Sequence, residues 1–363
     1  MIYGDRIRQA REYSGFTQTE LAKRVGVNQS AIAHLESDKN IPTEDLLTAI
    51  AEQTGFMPPF FFKKPANDFP IGTLAFRARN SLTNRELNKA YQHANVLFEY
   101  VLKMAEKFHV PPVNLPEVNE DPAKAALITR ETFGLPPNTP IRNIMLTIEK
   151  NGVFILALPI VLRKIDAFST WANISRPVIV VSSGKPSDRT RFSIAHELGH
   201  LIMHQVKKGR IVEMENEANN FAAEFLLPEK AMRLEIHLPV TLTSMARLKP
   251  RWGVSIQALI RRSRDLDIIT ARQYRYLFEQ LSQRGWRVNE PTNLDIPKEK
   301  PRLVQKMIEQ LYENSNIIEL MAKDVNLSKE KTVELINEHI EKEHMPILDY
   351  QATTEQIGNY TQN

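Results

Sequence analysis

Residues 191–200 read Arg191-Phe192-Ser193-Ile194-Ala195-His196-Glu197-Leu198-Gly199-His200. On a helix, positions i and i+4 stand one above the other, so His196 and His200 present their imidazoles to a single ion with Glu197 beside them. Ile194, Ala195, Leu198, Leu201 and Ile202 surround the pair with apolar side chains, as a helix buried behind a cleft requires. Upstream, residues 152–158 and 177–181 are short runs rich in Val and Ile and bounded by Gly, Pro and Ser, which predicts two strands ahead of this helix.

A bare H-E-x-x-H pattern arises by chance, so a third ligand is needed. The chain has no cysteine, which leaves His and carboxylates to hold a zinc ion. Residues 213–228 predict a helix carrying Glu213, Glu215, Glu217 and Glu224. With about 100° per residue, Ala218, Asn219, Ala222, Phe225 and Leu226 fall within roughly 80° of Glu215. The other three acids fall at roughly 160–200° and read as solvated charges. Glu215 is therefore the expected third ligand, and Asn219, one turn on, the amide expected to orient a ligand histidine. Three protein ligands leave a fourth position for water, whose proton Glu197 would take as general base. For the oxyanion, Arg191, His204 and tyrosines are candidates, with His204 read as structural.

Residues 191–200 followed by Glu215 to Pro228 resemble the ImmA/IrrE-type metallopeptidases. The resemblance extends more loosely to about residue 290, through Trp252-Gly253-Val254-Ser255 and Gly285-Trp286. It implies a zincin-like domain, His196, His200 and Glu215 as zinc ligands, Glu197 as catalyst, and a protein substrate of the helix-turn-helix repressor kind.

Thr17 to Glu36 reads as helix, tight turn at Gly26, helix, with Thr17 and Asn28 as N-caps. Leu21, Ala22, Val27, Ile32 and Leu35 would fix the two helices at a steep angle. This is similar to the Cro/repressor-like helix-turn-helix. In that arrangement Gln29 and Ser30 reach base edges in the major groove, His34 follows one turn on, and Gln18 holds a phosphate. Residues 1–56 carry six basic and eight acidic side chains, so DNA binding is expected to need dimerisation or a second basic surface. Residues 240–289, with ten basic and three acidic side chains, offer one.

The 363 residues exceed one ordinary domain. Three prolines within 58–65 break helical continuity and close a first unit. The expected division is 1–65 for the helix-turn-helix domain, 66–290 for the peptidase domain with a helical lead-in at 84–108 and 122–133, and 291–363 for a helical extension read as solvated. The fold class is α+β, mostly helical, with a five-helix type of DNA-binding unit. No stretch approaches the roughly 20 apolar residues of a membrane span, and the N-terminus lacks a secretory h-region, so a cytoplasmic location is expected. Two functions stay open: a DNA-binding regulator fused to a zinc endopeptidase, or a regulator or antitoxin whose metal fold is a sensor or scaffold without proteolysis.

Overall fold

A computed structural model describes residues 1–65, 83–159, 162, 164–172, 176–205, 210–312 and 316–340. The expectations for 66–82 and 341–363 lie outside the described residues. Among the described residues the chain is mostly helical with one three-stranded sheet.

Helices α1 (Gly4–Tyr13), α2 (Gln18–Arg24), α3 (Gln29–Glu36) and α4 (Glu44–Thr54), with a 3-10 turn at Pro58–Phe62, form the first unit. Thr17 and Glu20 cap α2 reciprocally, and the Asn28 side chain accepts the Ala31 N–H to start α3. Between them Gly26 turns the chain at φ 74°, in the left-handed region that side chains disfavour. Ile7, Leu21, Ile32, Leu35 and Ile50 are buried at the centre of this unit.

The unit docks on α5 (Asn84–Ala105). Arg6 reaches Glu99 at 2.9 Å, and Gln92 donates to Glu12 at 2.9 Å. Tyr13 stacks on His93 at 3.8 Å. Burial pushes His93 down to about 3, which keeps the imidazole neutral at this junction.

Three layers follow. Strand β1 (Phe154–Leu158) pairs in parallel with β3 (Arg176–Ser182), which pairs antiparallel with β2 (Ala167–Ala172). Alternation with period two sends Phe154, Leu156, Phe168, Val178 and Val180 into one core, and Ile155, Ala157, Ala167, Ile179 and Val181 into another. The sheet is thus buried on both faces, which is why β1 and β3 read as continuous apolar runs. On the second face lie α7 (Ile144–Lys150) and α8 (Ser187–Met203), covered by α6 (Pro122–Thr132) and α9 (Ile211–Leu226). Then come α10 (Glu229–Glu235), α11 (Leu242–Trp252), α12 (Ile256–Asp265) and α13 (Ala271–Gln283).

The first face of the sheet carries α5 and, unexpectedly, the C-terminal helices. These are α14 (Leu303–Tyr312), α15 (Ile317–Val325) and α16 (Lys329–Ile336). The reading of this region as a solvated extension is corrected: Val304, Met307, Ile308, Met321, Leu327 and Ile336 are buried in the same core as α1 and α4. Backbone bonds from Met57 N–H to Asn326 C=O and from Ser328 N–H to Gly55 C=O, each 2.8 Å, tie them to the first unit. Two carboxylates fasten the segment ahead of α14: Glu299 pairs with Arg191 on α8, and Glu149 accepts the N–H groups of Arg302 and Leu303. At the outer side of β1, the His339 imidazole Nε2 accepts the Ala157 N–H at 3.0 Å.

Candidate active site and DNA-reading face

Helix α8 runs buried from Ile194 to Ile202, and α9 packs against it. Gly199 permits the approach, since a Cβ there would meet the Phe221 side chain at 3.0–3.3 Å. This close crossing brings the acidic stripe of α9 to the histidines of α8. His196 Nε2 lies 3.0 Å from His200 Nε2, and the Glu215 oxygens lie 3.5 and 3.2 Å from those two nitrogens. Ligands about 2.0–2.1 Å from a tetrahedral zinc stand about 3.3 Å apart, so the three donors fit that ion as they stand.

The remaining ring nitrogens are also engaged. His196 Nδ1 is 2.8 Å from Asn219 Oδ1, and His200 Nδ1 is 2.9 Å from His204 Nδ1. His204 Nε2 in turn meets Glu217 at 2.9 Å. Glu197 is fully buried, and Ser169 on β2 donates its hydroxyl to the carboxylate at 2.8 Å. Trp171, two residues on, donates to the Leu201 carbonyl at 2.9 Å and fixes α8 to the sheet.

Ser169 and Glu217 were not singled out by sequence. The signal for Ser169 was a polar residue within Ala167–Ala172, which itself broke the apolar pattern of a strand. Two of the carboxylates read as solvated are not: Glu224 is buried against Arg262, and Glu217 is half-buried against His204. Glu213 is exposed, as expected. Arg191 is drawn away from any oxyanion role, because its guanidinium donates to the Gly253 and Ile141 carbonyls and pairs with Glu299.

A cleft of about 1010 Å³ opens beside α8 and α9. Phe192 and Ser193, one turn before His196, line it with Asn219 and Ala223. The basic run 240–289 is only in part taken up by ion pairs, since Arg247, Arg261, Arg272, Arg275, Arg284 and Arg287 are exposed. Lys249 is buried between Asp188 and Glu290, Arg262 is paired with Glu224, and Arg251 and Arg264 pair with Glu235 and Asp267.

In the first unit, Gln29, Ser30 and His34 are exposed on α3. Gln18 is half-buried: its amide donates to Glu36 at 2.8 Å and accepts from Gln29 at 2.7 Å. Glu36 is itself held by Arg11 at 2.5 Å, so Gln29 is steadied from the core outward.

Residues 148–264 match the family model of the IrrE N-terminal-like domain, Peptidase_M78, and residues 7–61 match the helix-turn-helix family model. No curated protein matches. A solved structure, Bacillus thuringiensis PlcR in complex with the peptide PapR7 and DNA, aligns at 13% identity over 98% of each chain with a TM-score of 0.16. A score that low carries no argument. No helix among the described residues is long and apolar enough to cross a membrane. The chain therefore joins a helix-turn-helix DNA-binding domain, by its match at 7–61, to an IrrE N-terminal-like domain of the Peptidase_M78 family at 148–264.

Proposed function

We propose that this protein is a DNA-binding regulator whose second domain is a zinc endopeptidase acting on a repressor-type protein. Residues 1–65 read DNA, 66–290 cleave, and helices α14 to α16 hold the two together. The observation that carries the reading is the convergence of His196 Nε2, His200 Nε2 and Glu215 within 4.8 Å of one another, beside the buried carboxylate of Glu197.

In this reading His196, His200 and Glu215 hold the zinc ion. The ion, when bound, supplies Lewis acidity. Glu197 accepts a proton from the attacking water and delivers it to the leaving amine, with Ser169 holding the carboxylate in place. Strand β2 stands at one margin of the sheet among the described residues and brings its Ser169 hydroxyl to Glu197. Asn219 keeps the His196 ring turned so that Nε2 faces the ion. On the first domain Gln29, Ser30 and His34 meet base edges, while the second amide hydrogen of Gln18 holds a phosphate.

Replacing Glu197 with Gln leaves the ligands intact and is expected to lower proteolysis by at least about 10²-fold while zinc stays bound. Comparing proteome-wide cleaved N-termini between wild type and Glu197→Gln reveals the substrate. Undiminished cleavage by the variant sinks the peptidase reading, and a wild type that binds operator DNA and zinc but cuts nothing marks a sensor or scaffold.

A further inference from the structure

Resting on the zinc reading above, we infer that His204 and Glu217 are positioning residues of the metal centre, joined as a relay Glu217–His204–His200 that does for His200 what Asn219 does for His196. The argument begins with protons. A histidine that ligates through Nε2 must leave that nitrogen unprotonated, so its proton sits on Nδ1 and needs an acceptor.

His196 finds one in Asn219 Oδ1 at 2.8 Å. For His200, the atom 2.9 Å from Nδ1 is the Nδ1 of His204. To accept there, His204 must carry its own proton on Nε2, and that N–H points to the Glu217 carboxylate at 2.9 Å. One assignment of protons therefore satisfies all three groups and leaves both ligand nitrogens open toward Glu215. The His204 side chain is nearly inaccessible to solvent and lies one turn beyond His200, where α8 gives way to the following loop. Glu217 belongs to the same helix as Glu215, so α9 supplies an anionic ligand on one side of the site and the anchor of the relay on the other.

A residue that fixes the tautomer and angle of a ligand histidine is typically worth 10–100-fold in metal affinity. The test is zinc affinity of the 363-residue chain, titrated against a competing chelator, for wild type, His204→Phe, His204→Asn and Glu217→Ala. His204→Phe and Glu217→Ala are expected to weaken zinc binding by roughly 10–100-fold. His204→Asn, whose Oδ1 can stand where Nδ1 stood and accept from His200, is expected to recover most of the loss. A His204→Phe chain with an unchanged metal-free unfolding midpoint and wild-type zinc affinity overturns the relay, as does a His204→Asn chain no better than His204→Phe.

A second measurement does not depend on any variant folding. Long-range 1H–15N correlation in the zinc-loaded wild type is expected to show a proton on His200 Nδ1 and on His204 Nε2, and a proton on His204 Nδ1 instead overturns the assignment. A wild type that binds no zinc overturns the metal centre and the relay together. A wild type that binds zinc, with variant affinities ordered as above, but cleaves nothing overturns the peptidase reading alone.

Discussion

Glu224→Ala is expected to destabilise the protein by about 3–5 kcal/mol, the usual cost of removing one member of a buried ion pair. Glu224 is 4% exposed and Arg262 is 8% exposed. The carboxylate holds the Arg262 guanidinium and accepts the Glu229 N–H at 3.0 Å, at the start of α10. It also steadies Arg130, a fully enclosed arginine that burial pulls down to about 10. Alanine at 224 therefore leaves the buried Arg262 guanidinium without its counter-charge, removes the charge that favours the Arg130 cation, and orphans a helix-start N–H. For a domain of this size each kcal/mol moves the midpoint by about 2–4 °C, so thermal unfolding should shift downward by roughly 6–20 °C. Glu213→Ala, on the exposed side of the same helix, should stay within about 0.5 kcal/mol of wild type. Scanning calorimetry and urea titration read both. Replacing the pair together, Glu224→Leu with Arg262→Met, should recover most of the loss, because apolar residues of similar volume need no counter-charge. A single-variant cost indistinguishable from that of Glu213→Ala refutes the buried-pair reasoning.

The Glu149 carboxyl is pushed up to about 7 by burial, against the pull of the Arg302 and Leu303 N–H groups. A folded value above the unfolded one of about 4.3 means that its contribution to stability is fully present below pH ~4.3 and is lost as pH rises to about 7, at up to about 1.4 kcal/mol per pH unit. Glu149→Gln should flatten urea midpoints over that window, and parallel curves for the two proteins refute this. Met321→Ala should cost about 2–5 kcal/mol in urea unfolding, since the side chain is fully buried between the C-terminal helices and the first unit; a cost near zero would return α15 to solvent. Gln29→Ala with Ser30→Ala should weaken operator binding by about 1–3 kcal/mol per lost base contact at fixed salt in a mobility-shift assay. Unchanged specific affinity counts against α3 as the reading helix.

The histidine pair, Glu215 and Asn219 were legible because one helical period governs both helices, and α8 and α9 meet along the very stripes that the wheel defines. The same wheel misread Glu217 and Glu224. It assigns angles relative to one neighbour, whereas α9 is also covered by α6, Arg262 of α12 reaches Glu224, and His204 at the end of α8 reaches Glu217. Ser169 was hidden for a related reason. Its hydroxyl serves Glu197 from inside the sheet, so a polar residue occupies an inward position and spoils the apolar signature of β2. The C-terminal helices showed their apolar spacing plainly. Periodicity says that a face will be covered but not by what, and the partners, α5 and β1, lie some two hundred residues earlier.

The imidazole of His339 on β1 bears on how one margin of the sheet is closed to other strands. A sheet margin with free N–H groups is a template for strands of other copies. Here the Ala157 N–H is taken by a side chain that burial pulls down to about 4, so the ring keeps its accepting lone pair at neutral pH. Trimming the chain ahead of His339 would leave the core side of the sheet with an unsealed margin, exposing β1 to aggregation by cross-copy strand pairing.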